Sequence, residues 1–513
     1  MTELLGAKSD VLDQMAESLS TDARRVDDIR NLAQRAVAEL QTGWNGPDLW
    51  ALTQQWEQQA SAQLVSASAS LDGCAATLRA QSSAQRWTSG NDSRVGGPTD
   101  AWAALGAPGL RLLRGTGANM PTGLSVPTAL PAYPPTHGSP SDNASWWRAL
   151  SSQQQEQLIR DHPDWVGNRD GVPFAARDLA NRALLRVNRA DLAAEGQRLE
   201  ADLADNWLGD VFTTDDEALA QIKDKVASLD AIEQTLAKRG LRQLLLLDME
   251  PERAQAAIAR GNVDSADNVA VFVPGMTSTV GDSMKGDDND MDQLQHRAEL
   301  EAKRANPNQP LTTATVTWIG YQAPQLGWDL IGANSVADDH AAQAGAAKLV
   351  PFLRGIDAAR DHDAHLSVLA HSYGSTTAGL ALQQSTGVDD VVFFGSPGIG
   401  TSHLEDLSVP DGHTYYIEAR GDPVGDIGRF GIDPSHLAGI EHASARASTV
   451  VDPITGEIRR FAEVTGHSSY LVDGSTSQYN MSVVVAGVPD RRVFDQGEGF
   501  GDVLSWPVPG TYR

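Results

Sequence analysis

The stretch Leu366-Ser367-Val368-Leu369-Ala370-His371-Ser372-Tyr373-Gly374-Ser375-Thr376-Thr377-Ala378-Gly379 decides how the 513-residue chain is read. Its first five residues form a short apolar run that suits a buried strand, and small residues open a helical pattern from Ser375. A serine on so abrupt a strand-to-helix turn, with Ala370 two residues before it and Gly374 two after, has the form of a nucleophile elbow. Only Ala or Gly clears the neighbouring backbone in such a turn. Ser372 Oγ is left proud of the sheet with its backbone beside a helix amino terminus, where an oxyanion is welcome. An ordinary helix cap is the plainer reading of the same serine. Ser385 and Ser396 also precede a Gly by two, but Gln383 and Phe394 are too large at the other flank, and Gly395-Ser396-Pro397-Gly398 reads as a structural loop.

A serine nucleophile needs a base within hydrogen-bond reach and a carboxylate to orient that base, here expected in the chain order Ser, acid, His. The strand Tyr415-Tyr416-Ile417-Glu418 exits through Ala419-Arg420-Gly421 into Asp422-Pro423, which puts Asp422 beyond a strand end as the leading acid. Asp426 is its rival, an Asx turn ahead of Pro423 is its structural alternative, and Asp390 lies at the wrong end of its strand. Of His436, His442 and His467, the last sits in a small-residue loop, Thr465-Gly466-His467-Ser468-Ser469-Tyr470, and is the favoured base. His371 is expected to point away from Oγ and to pack or donate to backbone. The oxyanion hole is expected from the main-chain N–H of Tyr373 and of Met276, in the loop Gly275-Met276-Thr277.

Working outward, apolar runs at Val269–Val273, Thr313–Trp318, Leu366–Ala370, Val391–Phe394 and Tyr415–Glu418 alternate with helical patterns such as His340–Leu353 and Thr376–Gln383. This implies an α/β domain, a mostly parallel sheet with helices on both faces, over 263–485. Chemistry in such a sheet belongs at the carboxyl ends of the strands. Residues 146–262 read as a helical region, either a cap over the site or a flank of the sheet, and 486–513 as a tail. Within that region Arg177-Asp178 and Asn181-Arg182 read as a solvated helix face with ion pairs. Residues 89–145, rich in Gly, Pro, Ser and Thr, read as a linker.

From Val11 to Leu78 apolar residues recur at steps of three and four, broken at Thr42-Gly43-Trp44-Asn45-Gly46-Pro47. Two amphipathic helices joined by such a breaker form an antiparallel hairpin over 1–88. Cys74, the only cysteine, falls on its apolar stripe and rules out an internal disulfide or a multi-thiolate zinc site. The hairpin resembles the WXG-type hairpins associated with specialised secretion systems of Gram-positive bacteria, carried by Trp44-Asn45-Gly46. That resemblance implies partner binding or self-association through the hairpin. The family's export tail, a Tyr followed four residues later by an acid, is absent after the second helix.

The balance of 40 Lys and Arg against 67 Asp and Glu gives a net charge of −27, which argues against a basic face for nucleic acid or anionic lipid. No apolar stretch approaches the length of a membrane span, and residues 1–10 lack a secretory signal pattern. The expectation is a soluble protein, cytoplasmic or exported without a signal peptide. Asp287-Asp288-Asn289-Asp290-Met291-Asp292 has the look of a calcium loop, but Gln293 stands where the turn demands Gly, and a charged helix start is preferred. No metal or cofactor is called for.

From Trp146 onward the chain resembles the actinobacterial alpha/beta hydrolases grouped as a domain family of unknown function. The shared elements are Trp146-Trp147, Gly167-Asn168-Arg169-Asp170-Gly171, Val273-Pro274-Gly275, Trp318-Ile319-Gly320-Tyr321, His371-Ser372-Tyr373-Gly374, Gly395-Ser396-Pro397-Gly398, Gly421-Asp422 and His467-Ser468-Ser469-Tyr470. The resemblance implies an alpha/beta-hydrolase fold and a triad of Ser372, Asp422 and His467. The expected function is hydrolysis of a small acyl substrate, an ester before an amide, through an acyl-enzyme. The competing expectation is a non-catalytic or secretion-associated protein that uses the hairpin as a binding module.

Overall fold

The computed structural model describes residues 133–205, 214–308, 311–325, 339–422, 424, 430, 432–452 and 454–495, with single positions between 20 and 68. The chain divides into two units, Met1–Leu124 and Ser125–Arg513. The described positions of the first are helical. The hairpin turn at Trp44-Asn45-Gly46, most of the linker and the tail beyond 495 lie outside the described residues.

The second unit opens with helices α1 (Pro140–Ala149), α2 (Ser152–Asp161), the single turn α3 (Pro163–Val166), α4 (Phe174–Asp205) and α5 (Thr214–Leu236). The linker expected to run to 145 therefore ends earlier. Ser139 accepts from Asp142 N–H while the Asp142 carboxylate accepts from Ser139 N–H, a reciprocal cap that starts α1 at Pro140.

Strands β1 (Arg242–Asp248), β2 (Gln255–Arg260), β3 (Asn268–Val273), β4 (Thr313–Ile319), β5 (His365–His371), β6 (Asp390–Phe394), β7 (Thr414–Glu418) and β8 (Glu441–Ser444) form one sheet in the order β1-β2-β4-β3-β5-β6-β7-β8. Only β2 runs against the others. The helical reading of 146–262 is thus corrected at its end, where β1 and β2 begin the sheet. Leu244–Leu247 is too short an apolar run for periodicity to tell strand from helix, and Gln255–Arg260 is rich in Ala, a helix former overruled by pairing with β1 and β4.

Helices α6 (Met284–Ala305), α7 (His340–Ala359), α8 (Tyr373–Leu382) and α9 (Thr476–Val485) cover the two faces. The parity of each strand decides which. Val269, Val271 and Val273 of β3 pack with Leu349, Leu353 and Ile356 of α7, whereas Ala270 and Phe272 pack with Met291 and Leu294 of α6 and Val484 of α9. A two-stranded ribbon, β9 (Ser448–Val451) and β10 (Ile458–Phe461), leaves the sheet after β8. Among the described residues no helix is long and apolar enough to cross a membrane.

The outer edge of β1 is closed by side chains. Asn168 bonds Leu247 through both its amide oxygen and its amide nitrogen, Asp178 accepts from Leu244 N–H, Asn181 donates to Leu244 O and Arg182 to Arg242 O. These contacts replace the missing neighbour strand and block edge-to-edge pairing. The solvated-face reading of this segment is corrected accordingly: Arg177 is fully buried, bonded to Gly167 O and to Asp170.

Candidate active site

Strand order reverses at β3, since β4 lies on one side of it and β5 on the other. Such a switch point opens a crevice at the carboxyl ends of the two strands. Val273 and Ala370, the last partners of β3 and β5, stand at its mouth. Gly275 and Ser372 follow them.

Ser372 has φ 53° and ψ −131°, a conformation costly for any residue with a Cβ. The surroundings impose it. Its N–H donates to Phe394 O, the next residue opens α8, and a Cβ on Gly374 would stand 2.3 Å from Val273 O and 2.6 Å from Pro274 O. Ala370 is completely buried without displacing the turn. A Cβ on Gly275 would meet Ser372 Cβ at 2.6 Å, so glycine is needed there for close approach rather than for an unusual φ. Thr277, at φ 65°, is the one other non-glycine with positive φ among the described residues, and its N–H is taken by Pro324 O.

The structure brings Ser372, His467 and Asp422 together. His467 Nε2 lies 2.8 Å from Ser372 Oγ, and His467 Nδ1 lies 3.0 Å from each Asp422 carboxylate oxygen. A carboxylate only accepts, so Nδ1 carries the proton and Nε2 faces the serine hydroxyl as an acceptor. Asp422 follows β7 and His467 follows the β9–β10 excursion. Gly466 N–H donates to Arg420 O, which ties the two loops side by side.

Asp422 is buried, which by itself raises a carboxyl pKa, yet hydrogen bonds from His467, from Tyr470 and from Val424 N–H outweigh that and hold it below the usual range. Tyr470 OH is 2.6 Å from Asp422 Oδ2 and 3.0 Å from Ala419 N. Tyr470 is a functional residue that the expected triad does not include; its place three residues after His467, within one turn of chain, is the signal for it in the sequence. Gly395 reads as structural in the sequence, yet a Cβ there would stand 2.8 Å from Asp422 Oδ2 and 3.2 Å from His467 Nδ1. It floors the acid–base pair.

His371 points away from Ser372 Oγ and bonds His467 O. Burial, and then the neighbouring His467, lower its pKa to about 4. The other histidines go elsewhere. His436 is exposed beside Asp433, and His442 lies in β8 with its ring edge-on to Tyr416. Asp390 opens β6 and holds His365 and His413 at the amino end of the sheet. Asp426 lies outside the described residues. The acidic run at 287–292 forms the first turns of α6, where Asp288 pairs with Arg242 and Lys238. Among the described residues no group of three or more His, Cys, Asp or Glu is arranged to hold a metal ion. α4 and α5 pack beside β1 and β2 at the sheet edge.

A parallel sheet with one reversed strand, and a strained serine turn at its switch point beside a histidine and a carboxylate, defines an α/β protein of the hydrolase type. The profile of the alpha/beta hydrolase family matches residues 250–432. An uncharacterized protein of Mycobacterium tuberculosis is 34% identical over 274 residues, 51% of this chain and 97% of the relative. A second one from that organism is 30% identical over 389 residues, 71% of this chain and 58% of the relative. Among solved structures, a hyperthermophilic esterase from the archaeon Pyrobaculum calidifontis aligns at 12% identity over 54% of this chain and 93% of its own, with a TM-score of 0.30. The chain belongs to the alpha/beta hydrolase family.

Proposed function

We propose that the protein is a serine hydrolase that cleaves a small acyl ester through an acyl-enzyme. The observation that carries this reading is the unbroken line of hydrogen bonds from Asp422 through His467 to Ser372, with the serine held at φ 53° immediately before the first turn of α8. In this reading His467 Nε2 takes the Ser372 proton as Oγ bonds to the acyl carbon. The negative charge that develops on the carbonyl oxygen is met by the main-chain N–H of Tyr373, at the amino terminus of α8, and by that of Met276. Collapse of the adduct breaks the bond to the alkoxide, which leaves as an alcohol with the proton from His467 Nε2. Water then attacks the acyl-enzyme, giving its proton to the same nitrogen, and Ser372 Oγ departs with that proton.

Asp422 stays ionised throughout and stabilises the imidazolium formed in each half-reaction. An ester is preferred to an amide because an alkoxide leaves the adduct with less assistance than an amine. A fluorophosphonate probe is expected to label the wild type once, at Ser372, and to leave Ser372→Ala unlabelled. Equal labelling of the two proteins, or none of either, would sink the reading. A series of p-nitrophenyl esters of increasing acyl length then reports the substrate, with Ser372→Ala and His467→Ala each expected to lose about 10³-fold or more in kcat.

A further inference from the structure

We propose that Tyr470 is a positioning residue for the acid, so that the working unit is a chain of four groups, Tyr470–Asp422–His467–Ser372. The inference rests on the serine-hydrolase reading of the same site.

The hydrogen-bond directions leave the phenol one arrangement. Ala419 N–H can only donate, so at 3.0 Å it takes a lone pair of the Tyr470 oxygen. The carboxylate of Asp422 can only accept, so the phenol proton goes to Oδ2 at 2.6 Å. A charge-assisted bond of this length is among the stronger ones a neutral donor makes. Asp422 Oδ1 is held separately by Val424 N–H at 2.9 Å, and His467 Nδ1 lies 3.0 Å from both oxygens. Two fixed donors, one on each oxygen, set the plane of the carboxylate. The imidazole is then aligned to that plane. Without Tyr470 the carboxylate keeps Val424 N–H as its one main-chain anchor, and the imidazole it is meant to orient becomes its only other partner.

The ring of Tyr470 is itself locked. It is 1% exposed, with its centroid 5.5 Å from that of Phe394 and 5.9 Å from that of His371, and its edge runs past the missing Cβ of Gly395. The titratable groups around the pair are His467 and His371 on the active-site side and Glu418 and Tyr416 of β7 on the other.

The role has a sign. A phenol that donates to Asp422 lowers the basicity of the carboxylate. Its removal strengthens the hold of Asp422 on protonated His467 and makes the inactive imidazolium persist to higher pH. Tyr470→Phe keeps the ring packing and deletes the hydroxyl. It is expected to lower kcat about 10- to 100-fold with KM within about 2-fold, and to move the acid limb of kcat/KM upward by about half a pH unit or more. Placing 3-fluorotyrosine at 470 makes the phenol a stronger donor with the ring intact, and is expected to move the same limb downward.

The measurements are the pH profile of ester hydrolysis and the rate of fluorophosphonate labelling for the wild type and both variants, with thermal melts of each. Labelling of the wild type at Ser372, with limbs displaced in opposite directions in the two variants, supports the proposal. Labelling of all three at the same rate with coincident pH profiles overturns the role of Tyr470 and leaves the hydrolase reading intact. Absence of labelling in the wild type overturns both. Should Tyr470→Phe melt below the assay temperature, the fluorotyrosine limb decides alone, since a purely structural hydroxyl would leave it unmoved.

Discussion

The imidazole of His371 donates its Nε2–H to the main-chain carbonyl of His467, 2.8 Å away, and so couples the residue before Ser372 to the backbone of the residue that faces the serine hydroxyl. The ring is packed between Phe394 and His467, with centroids at 5.1 and 4.7 Å. His371→Phe keeps the ring and removes the donor, and is expected to cost about 10-fold in kcat, whereas His371→Gln retains a donor and is expected to stay within about 3-fold of wild type. Steady-state kinetics of the two variants check this. Equal losses in both would assign the effect to packing rather than to the hydrogen bond.

The same histidine links stability to acidity. Its folded pKa of about 4 lies below the ordinary value near 6.5, so between those limits the unfolded chain binds a proton that the native state refuses. Stability from this group is present above about pH 6.5 and is lost as pH falls toward 4, by an amount of order 2 kcal/mol. Denaturant melts at pH 7 and pH 4.5 should show His371→Gln losing less stability on acidification than the wild type does.

Asp287 runs the opposite way. Burial, and then the charge of Asp290, raise its carboxyl to about 7, and its Oδ2 has no hydrogen-bond partner. A carboxyl whose folded pKa is raised favours the fold below its ordinary value near 3.8, and that contribution is lost as pH rises through 7. Asp287→Asn is therefore expected to raise stability at pH 8 by of order 1–2 kcal/mol and to change little at pH 4. Paired thermal melts read the difference.

Gly395 meets two demands at once. Its φ of 54° suits glycine, and a Cβ would stand 2.8 Å from Asp422 Oδ2 and 3.0 Å from the ring of Tyr470. Gly395→Ala is expected to cost about 1–2 kcal/mol in backbone strain alone and to lower hydrolysis at least about 10²-fold by displacing the carboxylate. A folded variant with wild-type kcat would show that the displacement is absorbed elsewhere.

Asn168 serves β1 as a fragment of a neighbouring strand, bonding both main-chain groups of Leu247 at 2.7 and 2.9 Å. Asn168→Ala is expected to cost about 1–3 kcal/mol and to leave a strand edge open. Light scattering on warming should show earlier self-association than in the wild type, with kcat below that temperature unchanged.

The legibility of this chain follows the range of its interactions. A short apolar run ended by a turn is a local signal, so Val269–Val273, stopped by Pro274-Gly275, and Leu366–Ala370, stopped by the elbow, were readable as strands, and the strands begin and end within a residue of them. β1 and β2 were not, because four consecutive leucines and an Ala-rich run carry no period that excludes a helix. Their strand state comes from pairing with each other and with β4. Asp178 and Asn181 looked like surface polar residues for the same reason. Whether such side chains meet water or a strand edge depends on what packs beside them.

What the sequence determined by itself was the elbow: a serine between an apolar run and small residues, flanked by Ala370 and Gly374 because the turn tolerates nothing larger. Short-range sterics act between neighbours along the chain and leave their mark in the choice of neighbours. What only the tertiary structure decided was the company the serine keeps. His467 is 95 residues from Ser372, Asp422 lies between them, 45 residues before His467, and the phenol that fixes Asp422 sits in the loop of the histidine. These contacts form because strands from separate parts of the chain end at one edge of one sheet, and hydrogen bonds such as that of Gly466 to Arg420 hold their loops in register. A bond between residues so far apart imposes no spacing rule on the residues between them, so the pattern of the sequence could rank Asp422 and His467 first among the candidates but could not set their side chains against Ser372.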